Sequence, residues 1–264
     1  MLQKLSSFKR MYSERITPAR VKRKVGATAD RWLALLATAA PGRKVHYCNS
    51  CTRDVARFHR FGPFTLVCPL CGSTDRERLL IAALDNGSLP SPDQGAKVLH
   101  VAPGEVGLAA RLDRSSTLTK GDLDPERYGD GTKRIDLMDM ADAGHYDIVV
   151  LSHVLEHVPD DRRALKEVFS SLKSNGKAWI QVPLIYRTTI EADPSLTPDE
   201  RDRHFGGSDH VRAYGPDISM RLVDAGFFVE TINTNDIRPE EREKLGLLSD
   251  TIFVATRPAP DEPA

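Results

Sequence analysis

The stretch Asp147-Ile-Val-Val-Leu-Ser152-His153-Val-Leu-Glu156-His157-Val-Pro-Asp160 decides how this chain is read. Its short run of branched apolar residues predicts a buried strand, and the strand breaks at Ser152 into a polar loop. Beyond the loop, Leu165, Val168, Phe169 and Leu172 recur on one face of a helix that Gly176 is expected to close. Residues 178–184 then read as a second apolar strand. In an open parallel sheet, ligands bind outside the carboxyl ends of the strands. The polar run from Ser152 to His157 therefore becomes the floor of a candidate site.

Working outward, the same alternation continues on both sides. Residues 97–102 form a short apolar run, Pro103-Gly104-Glu105 a turn, and 106–112 a helix. A second strand is expected over 117–122, ending in Gly121-Asp122, and a third at Arg134-Ile-Asp136-Leu137. Past the central unit come a helix over 216–225 and strands over 227–232 and 250–256. Strands alternating with helices imply an α/β, Rossmann-like doubly wound sheet. Only a loop is expected between the last two strands, so the final one should run antiparallel.

All four cysteines lie upstream, as Cys48-Asn-Ser-Cys51 and, sixteen residues later, Cys68-Pro-Leu-Cys71. Two such knuckles are a zinc-ribbon pattern, since zinc takes four soft ligands in a tetrahedron. With all four positions used by protein, the zinc is expected to be structural. Two disulfides are the competing reading and fit poorly with the lack of a secretion signal. Arg53, Arg57, His59, Arg60, Arg76 and Arg78 surround the knuckles. Phe58, Phe61 and Phe64 could stack on bases, but are read first as the core of a small ribbon.

The net charge of zero conceals an asymmetry: residues 1–44 hold 11 lysines and arginines against Glu14 and Asp30. Such an arm attracts nucleic acid or another anionic partner, or else only solubilises. No apolar run approaches the ~18 residues of a membrane span. The start, Met1-Leu-Gln-Lys-Leu, lacks the apolar stretch of a signal peptide, and a cytoplasmic location is expected. The chain is thus divided into a basic, partly helical arm (1–44), a ribbon (45–75), a connecting helix and linker (76–94), an α/β domain (95–257) and a disordered tail (258–264).

Over about residues 95–257 the sequence resembles the class I S-adenosylmethionine-dependent methyltransferases of the broad type 11 kind. The likeness rests on 147–159, on the strand-end acids Asp122 and Asp136, and on the terminal strand pair. Cys68-Pro-Leu-Cys71-Gly-Ser-Thr-Asp-Arg76-Glu-Arg78 and Arg203-His204-Phe-Gly-Gly-Ser-Asp209-His210-Val-Arg212-Ala-Tyr214 are also similar to segments of a bacterial subgroup of these enzymes. The resemblance implies strand order 3-2-1-4-5-7-6 with S-adenosylmethionine over the ends of the first four strands. Ala102, Gly104 and Glu105 would pass beneath the cofactor. Asp122 would accept the ribose hydroxyls, and Asp136, Leu137 and Met138 would border the adenine. Ser152 and His153 would face the methionine and the reacting centre. The chain departs from its relatives at His100, where they carry an acid, and in its single central glycine, Gly104. Either Glu105 substitutes for that acid or the cofactor binds more weakly.

His153-Val-Leu-Glu156-His157 also spells a metalloprotease motif, but that motif belongs within a helix, and here it follows a strand and precedes Pro159. A weaker form remains open, in which His153, Glu156 or His157, joined by His204 or His210, holds a divalent ion that polarises a substrate hydroxyl. His153 and His210 are the candidate general bases for a hydroxyl acceptor, with Asp209 expected to orient His210 and raise its pKa. Residues 185–215, rich in charge, proline and glycine, read as a substrate lid. The implied function is methylation of a small-molecule or saccharide-like acceptor at oxygen. The alternatives are an RNA methyltransferase using ribbon and arm, as in ribosomal RNA guanine-N1 enzymes with a four-ligand zinc module, and a non-catalytic module with a degenerate cofactor site.

Overall fold

The computed structural model describes residues 18–42, 45–62 and 65–259, with side chains from residue 28 onward. Most of the basic arm's charge, Phe64 and the end of the tail lie outside the described residues. Helix α1 (Pro18–Ala39) does not stand apart as an extension where it is described. Asp30 accepts hydrogen bonds from the Arg57 guanidinium (2.6 Å) and the Arg60 backbone N–H (2.8 Å). Thr38 accepts one from Ala56 N (3.1 Å), and Ala34 is fully buried. This half of the arm is packed onto the ribbon.

The ribbon consists of two small hairpins, β1 (His46–Cys48) with β2 (Arg53–Val55) and β3 (His59–Arg60) with β4 (Leu66–Val67). Its core is Cys48, Val55, Phe58 and Cys68. Phe58 fills that core as expected, whereas Phe61 is exposed. A Thr74 N-cap, accepting from Glu77 N, starts α2 (Asp75–Asp85). This helix buries Leu79, Leu80, Ile81 and Ala83 against the sheet of the following domain. The segment read as a connector is thus one of the layers over the sheet.

The sheet is built from β5 (Ala96–Val101), α3 (Val106–Ser115), β6 (Ser116–Asp122), β7 (Thr132–Arg134), β8 (Tyr146–Ser152), α4 (Asp161–Ser171) and β9 (Leu172–Gln181). A segment carrying β10 (Ile190–Glu191), α5 (Pro198–Phe205) and β11 (Arg212–Ala213) follows. The chain then adds α6 (Ile218–Asp224), β12 (Phe228–Asn233), α7 (Pro239–Leu245) and β13 (Thr251–Thr256). The seven strands lie in the order β12-β13-β9-β8-β5-β6-β7, which from the other edge is the expected 3-2-1-4-5-7-6. β13 is antiparallel to both neighbours, and the pairs among β5 to β9 are parallel. Side chains alternate between faces along a strand. Leu99, Val149 and Leu151 accordingly pack under α4 and α6, while Val98, Ile148 and Val150 pack under α2 and α3. Among the described residues no helix is long and apolar enough to cross a membrane.

Three local expectations change. Helix α4 ends at Ser171, not at Gly176, because the Arg257 guanidinium takes the carbonyls of Phe169, Ser170 and Leu172, satisfying the orphan acceptors of its last turn. Gly176 lies inside β9 instead. The third strand ends at Arg134, so Asp136 sits just beyond it. The last two strands are separated by α7 as well as a loop.

One buried cation joins these parts. The Arg78 guanidinium, on α2, is fully buried and donates to the carbonyls of Ser73 and Leu66 in the ribbon and of Leu245 and Gly246 at the end of α7. It also lies 3.8 Å from the centre of the Phe58 ring. Arg78→Met removes this donor from the carbonyls of Leu66, Leu245 and Gly246, while Ser73 O keeps the Cys68 N–H (2.8 Å), at ~1–3 kcal/mol for each buried group left unpaired. Chemical denaturation should show a loss of several kcal/mol; a loss under ~1 kcal/mol would show that water replaces the guanidinium.

Candidate functional site

The site is assembled where β5, β6, β7 and β8 end together. After β5, Ala102 takes a left-handed conformation (φ +50°), uncommon for a residue with a Cβ. Its N–H donates to Gly121 O (2.8 Å) and its carbonyl accepts from Gly104 N (2.6 Å), which turns the chain sharply with Gly104 exposed. Glu105 is buried and meets His100 Nε2 at 3.2 Å. Burial acts to raise the Glu105 carboxyl, but chiefly the contact with His100 more than offsets it, so the group stays ionised. The single Ser152 hydroxyl proton is directed to Gln181 Oε1 (3.2 Å) at the end of β9. The Glu105 carboxylate thus leans back onto His100.

Asp122 ends β6, half-buried, with Oδ1 accepting from Asp124 N (2.7 Å). Burial raises its carboxyl, opposed by that N–H and by Arg127. After β7, Asp136 Oδ1 accepts from Met138 N (2.9 Å), Leu137 is buried and Met138 is half-buried against the core. Helix α3 begins under the same edge, and Glu77 of α2 caps it by accepting from Gly107 N (2.8 Å) and Leu108 N (3.2 Å). The approach is so close that a Cβ on Gly107 would fall 2.1 Å from Ser50 Oγ of the ribbon.

The other half of the site lies beyond β8. His153 has φ +54°, and a single 3-10 turn over Leu155–His157 follows. The short turn is not the long helix that a protease motif needs. Glu156 is fully buried. His153 Nδ1 lies 3.1 Å from its Oε1 as an ion-pair neighbour, and among the described residues neither oxygen has a hydrogen-bond partner. Burial alone would raise this carboxyl; the imidazoles of His153, His157 and His210 hold it down to about 2. His153 is itself lowered, first by burial and then by Arg76.

The segment after β9 folds back over this loop. Val211 N donates to Glu156 O (2.9 Å). The nearly buried Arg212 guanidinium donates to the carbonyls of Leu155, Val158 and Pro159. Tyr214 OH donates to Asp161 Oδ2 (2.6 Å). Asp209 reaches His157 (3.3 Å) rather than His210, so burial wins at His210 and lowers it, contrary to the expected rise. His157, by contrast, is raised, Asp209 outweighing burial. His204 is exposed and apart from the cluster.

In the ribbon, the four cysteine sulfurs lie within 4.8 Å of one another, with Cys48–Cys71 at 3.7 Å and Cys51–Cys68 at 4.0 Å. Disulfide sulfurs sit about 2 Å apart. Four thiolates 2.3 Å from a central ion sit about 3.8 Å apart. All four are free thiols, so the donor set fits a tetrahedral metal and not two disulfides. Burial, with the charge of the neighbouring thiols, pushes Cys51 up to about 12, a conflict that a divalent cation among them resolves.

Residues 28–229 match the family described as a methyltransferase domain, and the chain belongs to that family and is an S-adenosylmethionine-dependent methyltransferase. No curated protein matches the sequence. Among solved structures, it is similar to a chain of the Haloferax volcanii complex between the Trm112 methyltransferase activator and a methyltransferase. Identity there is 14% over 70% of this chain and 92% of that one, with TM-score 0.50. An S-adenosylmethionine-dependent methyltransferase from Mesorhizobium loti is 18% identical over 68% of this chain and 98% of that one, with TM-score 0.48. At 14% identity the likeness to the Haloferax volcanii chain is one of fold.

Sequence reasoning passed over Arg76, grouped above with the ribbon's surface charges. It extends instead toward the sheet, close enough to shift Glu105, His153 and Asp250 electrostatically. Gln181 was also missed; its Nε2 donates to Asp250 Oδ2 (3.0 Å) while its Oε1 serves Ser152. Burial pushes the Asp250 carboxyl up to about 7. The folded chain therefore keeps a proton that the unfolded chain releases near pH ~4, and stability should fall as pH rises from about 4 to 7. Asp250→Asn should remove that component: the gap between the melting midpoints of variant and wild type should shift in the variant's favour from pH 5 to pH 8. A gap independent of pH would show that Asp250 ionises freely.

Proposed function

We propose that the protein methylates a hydroxyl of a small-molecule or saccharide-like acceptor. The observation that carries this reading is the ordered lid: Val211 and Arg212 tie it to the Leu155–Pro159 loop, so the acceptor side is walled by imidazoles and suits a small molecule. Three of the ribbon-side arginines that would favour RNA are engaged within the fold: Arg78 is buried, Arg57 pairs with Asp30 and Arg76 lies near the sheet edge.

In this reading S-adenosylmethionine, when bound, supplies an electrophilic methyl group on its sulfonium. Asp122 accepts the ribose hydroxyls, as an acid after the second strand does in nucleotide sites. Asp136, Leu137 and Met138 border the adenine, while the Ala102–Gly104 turn leaves the backbone accessible beneath. Glu105, ionised and backed by His100, receives the methionine amino group, and Arg76 faces the methionine carboxylate. Holding acceptor and methyl in line can supply on the order of 7–11 kcal/mol of the barrier. His153, kept neutral by burial, accepts the hydroxyl proton. The ribbon is read as a structural zinc module that fixes α2, and with it Glu77 and Arg76, against the catalytic sheet.

Asp122→Ala removes the acceptor for two hydroxyls, and lost charged hydrogen bonds cost ~1.5–3 kcal/mol. Calorimetry should find S-adenosylhomocysteine binding weakened roughly ten- to a hundredfold; unchanged affinity would mean the ribose lies elsewhere. Elemental analysis of the purified protein should find zinc at the four cysteines, and a tryptic map with Cys48–Cys51 or Cys68–Cys71 disulfides would refute the ribbon assignment. Released S-adenosylhomocysteine with hydroxyl acceptors, against none with RNA at any salt concentration, separates the leading reading from the RNA alternative.

A further inference from the structure

Glu156 poses a physical problem that the methyl-transfer reading leaves unsolved. A carboxylate withdrawn from water needs donors or a cation. This one is fully buried, with His153 Nδ1 3.1 Å from Oε1, and among the described residues neither of its oxygens has a hydrogen-bond partner. What surrounds it is imidazole. One ligand atom each of Glu156, His157 and His210 lies within 4.8 Å of the others, and the two rings meet edge to face with centroids 4.7 Å apart.

The rings are oriented as ligands are. His210 Nδ1 bonds to Phe205 O (2.6 Å), and His157 Nδ1 lies 3.3 Å from Asp209 Oδ2. A proton held on Nδ1 by a carbonyl or carboxylate leaves Nε2 with a free lone pair, the usual outer partner of a metal-bound histidine. The supports are rigid. Val211 N fixes the Glu156 carbonyl, and Arg212 fixes both ends of the 3-10 turn. Gly207 leaves the His210 ring its place, because a Cβ there would lie 2.5 Å from Nε2.

We propose that Glu156, His157 and His210 bind one divalent transition-metal ion, separate from the cysteine site, at the acceptor side of the sheet edge. Two imidazoles and one carboxylate occupy one side of such an ion and leave positions open. An acceptor hydroxyl bound there becomes more acidic. Its oxygen forms the bond to the methyl carbon, the carbon–sulfur pair returns to the sulfur of S-adenosylmethionine, and the hydroxyl proton passes to His153. The catalytic step rests on the proposed methyl transfer to oxygen; the metal site itself does not.

Mn²⁺ is the suitable probe, because it prefers nitrogen and oxygen ligands over thiolates. Full-length protein, its cysteine site left loaded, should bind one Mn²⁺ by electron paramagnetic resonance titration. Glu156→Gln and His157→Gln should each weaken that binding at least about a hundredfold, while S-adenosylhomocysteine affinity, which reports an intact fold and cofactor site, stays within a few-fold. Co²⁺ at this site should give weak visible bands without the intense thiolate charge transfer of a cysteine site. Wild-type protein that binds no Mn²⁺ or Co²⁺ beyond the cysteines, or binding that survives both substitutions, overturns the proposal. If Mn²⁺ binds as expected but S-adenosylhomocysteine does not, the metal site stands and the methyl-transfer reading falls.

Discussion

Arg78 is the group on which the arrangement of this molecule turns. It is a permanent cation with no carboxylate in ion-pair contact among the described residues, taken out of water and satisfied by backbone carbonyls of two modules at once. Burying a charge this way costs a great deal unless every donor is used. The geometry therefore tolerates little relative movement between ribbon and sheet. Everything α2 carries inherits that rigidity: Glu77 at the start of α3, Arg76 beside Glu105 and His153, and the apolar face that completes one side of the sheet.

The two halves of the site solve opposite electrostatic problems. On the β5 and β6 side, Glu105 is held ionised chiefly by its contact with His100. Beyond β8, burial drives His153 and His210 toward neutrality while leaving one deep carboxylate among them. Neutral imidazoles around an anion make a place suited to taking up positive charge, whether as a proton or as a metal ion.

Much of this was legible in the chain. The continuous apolar run 148–151, the strand-end acids and the two cysteine knuckles each carry a local physical signal, and strand order followed from family resemblance. The errors arose where a distant residue overrules the local pattern. Gly176 was read as a helix stop, but Arg257, more than eighty residues on, ends the helix earlier. Asp209 was assigned to its neighbour His210, but the turn at Gly206 and Gly207 presents it to His157. Arg76 looked like a surface charge because nothing in its own segment says which way α2 will face. Arg212 was quoted as part of a motif, yet its task of gripping three carbonyls is visible only after folding.

The carboxylate of Glu77 has one more effect. Where many nucleotide-binding folds leave the first helix N-terminus open to a phosphate, here a side chain from the neighbouring module already occupies it. S-adenosylmethionine carries an adenosine but no phosphate, so it loses nothing by this. ATP, with the same adenosine and a far higher cellular concentration, would meet a fixed negative charge where its phosphates seek N–H donors. Discrimination between the two would then come from the donors the fold withholds as much as from the contacts it offers.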